Sequence, residues 1–206
     1  MTLSFKLLSS DDFPLMLEWL SRRHVREWWN DGDDTLEKVA AHYEKKRENV
    51  ARFIMIDENN TDKKTIGFIQ YYFAPDNEIG IDLFIGEEIY LNRGIGRKAI
   101  SSFIEFILER HEPASFIIDP SPENKRAIRC YEKAGFRHFE TKSGEDGKPA
   151  YMMRLDRREK INGEKIMTTD YIGKPQSRID GKLKVTGAAK YAAEFNVPDL
   201  LYGYIV

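Results

Sequence analysis

The sequence has little cysteine and no long apolar run. Its 206 residues contain one cysteine, Cys130, which excludes an intrachain disulfide and a cysteine-based zinc site and favours a reducing compartment. No apolar run approaches the roughly 20 residues that a membrane-spanning helix needs, and the amino-terminal stretch does not resemble a secretory signal. The net charge of −2 argues against non-specific nucleic-acid binding. We therefore expect a cytoplasmic protein with neither a membrane nor a nucleic acid as its partner.

What is present is typical of a globular domain. Hydrophobic residues make up 41% and charged residues 32%, a balance that excludes a wholly disordered chain. Hydrophobic spacing predicts an α/β (α+β) domain over residues 1–157, in the order β-α-α-β-β-β-α-β-α-β-β. The predicted strands are Ser4–Leu8, Phe53–Asp57, Thr65–Phe73, Ile79–Ile85, Ser115–Asp119, Phe136–Lys142 and Ala150–Leu155. The predicted helices begin at Ser10, Asp34, Gly94 and Ser121, and the last three end near Glu48, His111 and Gly135.

Residues 158–206 differ in character from this domain. They contain scattered glycine and proline and no long amphipathic helix, and the last seven, Leu200–Val206, are apolar and β-prone. An apolar, β-prone run tends to pair with a partner. We predict a separate carboxy-terminal extension, fragment-like and joined by fusion or read-through near Met167. The alternative is an ordinary extension that exchanges between protomers.

One local motif predicts a phosphate site. The hexapeptide Asn92-Arg93-Gly94-Ile95-Gly96-Arg97 lies between a predicted strand and an amphipathic helix. Two glycines allow a tight turn close to a ligand, and the free amides at a helix start favour an anion. A pyrophosphate suits this site; the alternative is a glycine-rich turn with surface cations. A Rossmann dinucleotide site is not expected, because the third glycine is missing.

A second motif follows, and with it the sequence resembles a known family. After Asn124 come Ala127, Tyr131, Gly135 and Phe136, in the spacing Asn-x-x-Ala-x-x-x-Tyr-x-x-x-Gly-Phe. Together with the glycine loop, this pattern resembles the GNAT superfamily of N-acetyltransferases. The resemblance implies the GNAT fold, a mixed central sheet with flanking helices, and a loop that binds the pyrophosphate of acetyl-coenzyme A.

Within that superfamily, the chain resembles the aminoglycoside 6′-N-acetyltransferases over nearly all of residues 10–155. The motifs that carry this likeness are Glu27-Trp28-Trp29, Ile66-Gly67-Phe68-Ile69-Gln70, Gly80-Ile81-Asp82 and the run from Asp119 to Phe136. One departure is the connection Ala74–Glu78, where some members carry a long acidic insertion that helps to hold the drug. The wall around the acceptor is therefore expected to differ here.

The resemblance implies two catalytic residues. Tyr131 matches the tyrosine that protonates the departing thiolate, and its alternative role is that of a core tyrosine. Asp82 matches the carboxylate that holds or deprotonates the acceptor amine. It lies among apolar residues of a predicted strand, where an aspartate is costly unless it is paired or lines a cleft. Its alternative is a solvent-facing strand position.

Other positions match residues that bind the two substrates. Asn124 matches a side chain on the pantetheine arm, or is simply a first-turn residue. The strand end matches backbone amides that contact the acetyl group and pantetheine; it comprises Ile85, Gly86 and Glu87. The acceptor side comprises Trp28, Trp29, Gln70, Asp82, Asp119 and Asp146. For Asp119 and Asp146 the competing role is turn formation. Of the two adjacent tryptophans, at least one is expected in the core.

No metal is implied. The four histidines, His24, His42, His111 and His138, show no metal-ligand spacing, and we expect structural or surface roles for them. Residues 172–206 resemble the amino terminus of the molybdenum-binding subunit of xanthine dehydrogenases and aldehyde oxidases. The molybdenum pocket of those subunits lies far downstream of the matched segment, so no molybdenum chemistry carries over.

The predicted function is acetyl transfer from acetyl-coenzyme A to a primary amine, foremost the 6′-amine of an aminoglycoside. One alternative is a different acceptor, such as a hydroxylysine siderophore precursor or another small polyamine. A second alternative is a non-catalytic acyl-CoA-binding module. The expected partner is a small-molecule amine, and the protein is expected to be a monomer or a homodimer.

Overall fold

The architecture is a seven-stranded sheet with helices on both faces. A computed structural model describes residues 2–45, 48–59, 64–143, 147 and 149–157. The strands are β1 (Leu3–Leu7), β2 (Val50–Asp57), β3 (Lys64–Ala74), β4 (Glu78–Ile85), β5 (Ser115–Ile118), β6 (Arg137–Ser143) and β7 (Pro149–Asp156). Their order in the sheet is β1-β2-β3-β4-β5-β7-β6. Among the strands of the described ranges, only the β4–β5 pair is parallel, so the sheet is mixed.

The helices follow the apolar spacing of the sequence. They are α1 (Phe13–Ser21), α2 (Arg23–Arg26), α3 (Leu36–Tyr43), α4 (Ile95–Leu108) and α5 (Lys125–Lys133). The longest, α4, buries one face against the sheet: Ile95, Ala99, Ile100, Phe103, Ile104 and Ile107. This spacing of three and four residues makes a continuous apolar stripe on a helix. On α5, Ile128 and Tyr131 are buried.

Two apolar clusters, one on each face, hold the sheet. Alternate residues of β2 and β3 enter different clusters, as strand geometry requires. Phe53 and Ile69 belong to the cluster with α4 and α5, whereas Ile54 and Phe68 belong to the cluster with α1 and α3. The central strands are therefore covered on both faces. The site described below lies at the carboxyl-terminal ends of β4 and β5.

The predicted fold class and the element types are confirmed, with one helix added. The one-turn helix α2 was missed, because four residues carry too short a pattern to recognise. The hairpin of β6 and β7 is antiparallel as predicted.

Helix starts differ from the predictions by one to four residues because other residues provide the caps. Before α1, a single 3-10 turn over Ser10–Asp12 has Ser9, not Ser10, as its N-cap, and the backbone N–H of Ser9 donates to Asp12 Oδ2 at 3.0 Å. The α-helix itself begins after this turn, at Phe13. Thr35, not Asp34, accepts the backbone N–H of Lys38 through its side chain, at 3.3 Å. At the start of α5, Asn124 has the capping role.

Some predictions lie outside the described residues. These are the extension 158–206 and Asp146 in the β6–β7 connection, so the boundary near residue 157 stays a prediction. Across the described ranges, every helix is too short or too polar to traverse a lipid bilayer.

Candidate active site

A cleft opens where β4 and β5 separate. Their parallel ladder joins Glu78–Gly80 to Ser115–Ile117 and stops there, while β4 continues to Ile85. The cleft has a volume of about 1090 Å³, large enough for an extended ligand. Its walls come from α2, the end of β4, the first turns of α4, the segment after β5, and α5.

Two backbone amides of β4 face this cleft. Ile85 is paired with Gly67 across β3, and the N–H of Gly86 donates to the carbonyl of Ile66 at 2.9 Å. In an antiparallel ladder this pattern marks Ile85 and Gly67 as a non-hydrogen-bonded pair, so the N–H of Ile85 points away from β3. By the same alternation, the N–H of Leu83 points to the cleft. Both residues line it.

Gly86 and Glu87 face the other way. Their N–H groups both donate to the carbonyl of Ile66, at 2.9 and 3.2 Å. The Glu87 carboxylate accepts from Trp19 Nε1 at 3.0 Å and pairs with Arg22 at 3.1 Å. These amides are already bonded, which does not fit the coenzyme contact that the resemblance implied for them. Leu83, which lines the cleft, has the N–H that shares the direction of the Ile85 amide; strand alternation was the signal that would have identified it.

The loop before α4 exposes backbone donors. Asn92 and Gly94 adopt left-handed φ values of 60° and 76°, a conformation that glycine and asparagine tolerate best. The first N–H to bond within the helix is that of Lys98, which donates to Gly94 at 3.2 Å. The N–H groups before it have no helical partner and favour an anion. The predicted phosphate site thus has the backbone geometry that it requires.

Five of the six loop residues line the cleft: Asn92, Gly94, Ile95, Gly96 and Arg97. Arg93 does not. A Cβ on Gly96 would lie 3.1 Å from Sγ of Cys130, so α5 packs closely on the first turn of α4. Glycine at this position lets the two helices form one wall.

Asp82 lines the cleft and is held by Gln70. The two residues are directly paired across β3 and β4, and Gln70 Nε2 donates to Asp82 Oδ2 at 2.8 Å. The pKa of Asp82 is raised to about 7, chiefly by burial; the charges of Asp119 and Asp31 add to the rise, and the Gln70 hydrogen bond opposes it. Gln70 does not line the cleft, so its predicted contact with the acceptor is replaced by a contact with Asp82.

Asp119 and Tyr131 complete this end of the cleft, and both line it. Tyr131 is 9% exposed. Burial raises the pKa of its hydroxyl, and the neighbouring groups Cys130, Asp82 and Asp119 raise it further. Three residues that are far apart in the sequence thus line one cleft and are close enough for their charges to interact: Asp82, Asp119 and Tyr131.

Asn124 and the tryptophans have mixed roles. The side-chain oxygen of Asn124 accepts the N–H of Ala127 at 3.0 Å, so it caps α5 while also lining the cleft. Trp29 packs edge-on against Phe84, with ring centroids 5.2 Å apart, whereas Trp28 is 37% exposed. Trp29 is half-buried and packs against the core cluster on the side of α1 and α3 while also lining the cleft, so the expected core tryptophan is found only in part.

One histidine also belongs to the cleft. His24 Nε2 lies 3.0 Å from the carbonyl oxygen of Ile85, and since a carbonyl only accepts, His24 donates.

A second histidine belongs to a separate cluster. His42 pairs with Asp33 at 2.7 Å. Together with Asp31, these two could offer a metal ion ligand atoms that lie within 4.8 Å of one another. Sequence spacing did not predict that grouping.

Comparisons with known proteins agree with this geometry. The model of the acetyltransferase (GNAT) domain matches residues 9–142. Aminoglycoside N(6′)-acetyltransferase type 1 of Klebsiella pneumoniae is 31% identical over 170 residues, covering 74% of this chain and 83% of that protein. A crystal structure of an aminoglycoside acetyltransferase in complex with coenzyme A and kanamycin is 31% identical with a TM-score of 0.69, covering 76% of this chain and 96% of that one.

Two further likenesses are partial. Spermine/spermidine N(1)-acetyltransferase of Bacillus subtilis is 29% identical over 112 residues, covering 51% of this chain and 62% of that protein. The aldehyde oxidoreductase molybdenum-binding subunit PaoC of Escherichia coli is 54% identical over 37 residues. That match covers 17% of this chain and 5% of PaoC, in line with the predicted resemblance to the amino terminus of such a subunit.

Proposed function

The chain belongs to the GNAT acetyltransferase family, and we propose that it moves an acetyl group from acetyl-coenzyme A to a primary amine of a cationic small molecule, foremost the 6′-amine of an aminoglycoside. The observation that carries the proposal is the placement of Asp82 and Tyr131 in one cleft with the exposed amides of the loop at 92–97. Those amides are suited to the pyrophosphate. The N–H groups of Leu83 and Ile85 are suited to the pantetheine arm.

The chain's own residues account for the proton transfers. An acceptor enters as an ammonium and must lose a proton before its nitrogen can attack the thioester carbon. Asp82, whose pKa is raised to about 7, takes that proton, since a base works best when its pKa lies near the working pH. The new C–N bond forms as the C–S bond breaks.

Tyr131 serves the leaving group. Its raised pKa keeps the hydroxyl protonated, so it donates to the sulfur as negative charge develops there. The second proton, which the acylated nitrogen must still lose, then passes to the tyrosinate and restores the hydroxyl. A thiolate in the same buried place is also destabilised, which raises its affinity for a proton. Burial therefore raises the pKa of both the Tyr131 hydroxyl and the coenzyme thiol, so proton transfer between them stays feasible.

The acceptor end is negatively charged. Asp82 and Asp119 line it, and the charge of Asp31 also reaches Asp82. An exposed face of Trp28 adds an aromatic surface on which a cation or a sugar ring can rest. This combination favours an acceptor with several ammonium groups, which is the chemistry of an aminoglycoside.

A second candidate acceptor is a linear polyamine. The turn between β3 and β4 is only Pro75–Asn77, so this connection supplies no long acidic wall around a rigid sugar. The partial likeness to a spermine/spermidine acetyltransferase is compatible with the same carboxylates. A flexible polycation needs fewer fixed contacts than a drug.

An acceptor screen with acetyl-coenzyme A held constant tests the proposal. Thiol release is measured with a 6′-amino aminoglycoside, with a matched aminoglycoside that has a hydroxyl at the 6′ position, and with spermidine. Turnover with the first only supports the aminoglycoside, and turnover with spermidine only supports the polyamine. Tight coenzyme binding without turnover of any amine would refute catalysis. The Asp82→Asn variant is the control for background hydrolysis.

A further inference from the structure

The cleft carries more positive charge than a pyrophosphate needs. Five cations line it: Arg97 and Lys98 on α4, and Arg126, Arg129 and Lys133 on α5. Across the described part of the chain, none of the five has an ion-pair or hydrogen-bond partner. Some cations elsewhere are paired, such as Arg22 with Glu87 and Arg154 with Glu78. Unpaired like charges repel one another, so their gathering in one cleft indicates an anionic ligand.

The three α5 cations form a stripe. Residues 126, 129 and 133 follow at spacings of three and four, which places them within about 60° of one another around a helix. We call Arg126, Arg129 and Lys133 the α5 cationic stripe. It lies beside the phosphate loop, because Cys130 of the same helix packs against Gly96. Burial raises the pKa of the Cys130 thiol, and the nearby charges of Lys133, Arg97 and Arg126 oppose that rise.

The cleft also continues past the loop. Along α4 its lining extends to Ser101, Ser102 and Glu105. Glu105 is eleven residues beyond Gly94, or roughly 16 Å along a helix. This distal part of the groove, between α4 and α5, lies beyond the amides that suit the pyrophosphate. Its hydroxyl and carboxylate groups can form hydrogen bonds with a nucleoside.

Building on the proposed function, we infer that the α5 cationic stripe recognises the 3′-phosphate of the coenzyme's adenosine and makes the enzyme selective for the 3′-phosphorylated coenzyme. A phosphate monoester carries about −1.5 to −2 charges at neutral pH. Two arginines and a lysine on one helix face match that charge and offer several donors to its oxygens. The pyrophosphate is left to the α4 amides, with Arg97 and Lys98.

Binding constants for coenzyme A and for 3′-dephospho-coenzyme A, measured by calorimetry at fixed low salt, test this inference. The native protein should bind coenzyme A about tenfold or more tightly than the dephospho form, as charge-assisted bonds to one phosphate require. The triple variant Arg126→Gln, Arg129→Gln, Lys133→Gln should lose most of that preference. Its affinity for dephospho-coenzyme A should stay within about threefold of native.

The matched control is Lys125→Gln, on the same helix but outside the cleft lining; it should keep the native preference. Equal loss of affinity for both ligands in the triple variant would overturn the inference, because the stripe would then act on a part common to both. Equal binding of the two ligands by the native protein would overturn it as well, while leaving the proposed function intact. Failure of the native protein to bind either ligand would instead refute the proposed function itself.

Discussion

Replacing Gln70 by methionine should change the pH dependence of the enzyme more than its fold. The side chain has a similar length, but it cannot donate the 2.8 Å hydrogen bond to Asp82. A hydrogen bond to a charged group contributes about 1.5–3 kcal/mol, and about 1.4 kcal/mol corresponds to one pH unit. Because the lost bond stabilised the carboxylate, the pKa of Asp82 rises. The acid limb of kcat/KM should move upward by about one to two pH units.

The loss in activity follows from that shift. At pH 7 about half of native Asp82 is ionised, given its pKa of about 7, whereas the variant retains about a tenth to a hundredth in that form. We therefore expect kcat/KM to fall about 5- to 50-fold at pH 7 and to recover near pH 10. The assay is thiol release across the pH range. Thr65→Val, a polar-to-apolar change on the same strand, is the control. A uniform loss at every pH would refute the reasoning.

Three other changes test separate parts of the structure. Tyr131→Phe should lower kcat about 100-fold while the Kd of coenzyme A stays within about twofold; an unchanged kcat would contradict the role of its hydroxyl. Gly86→Ala places a Cβ in steric conflict with the Trp19 ring, so the free energy of unfolding should fall by about 1–3 kcal/mol, seen as a Tm lowered by about 2–10 °C. With a polycationic acceptor, the acid limb of kcat should lie at lower pH than that of kcat/KM, because bound ammonium groups lower the pKa of Asp82; coinciding limbs would argue against such an acceptor.

The element order was predictable because each long element carries its own periodicity. The six buried positions of α4 are separated by one, three or four residues, and β2–β4 are apolar runs with turn residues between them. Element ends were less predictable, because competing caps stand side by side. Asp34 and Thr35 both suit a cap, and only the backbone path selects Thr35.

The site was predictable where a motif fixes the backbone. The left-handed Gly94 and the exposed amides after it follow from the loop sequence itself. The contact of Gln70 with Asp82 was not predictable, since it depends on the register between β3 and β4. A slip of one residue would have put Gln70 on the opposite face of the sheet.

The direction of the Gly86 and Glu87 amides was likewise not predictable from the sequence. The direction of these amides depends on tertiary contacts: Trp19 and Arg22 donate hydrogen bonds to the segment after β4. These contacts fix the end of the strand, and thereby the direction of the Ile85 amide. The segment that the resemblance assigns to coenzyme binding thus also anchors the end of β4 to the first helices. The sequence motif predicts the first role but not the second.

The electrostatics of the acceptor end explain why a buried carboxylate is useful there. Burial and the neighbouring charges of Asp119 and Asp31 hold Asp82 near the midpoint of its titration at neutral pH. A cationic acceptor reverses the effect of the neighbouring charges on the pKa of Asp82, because its other ammonium groups neutralise Asp119 and Asp31. Binding then favours the ionised form of Asp82 at the moment when a base is needed. The acidic cluster therefore selects a cation and, through the same charges, couples its binding to the activation of the base.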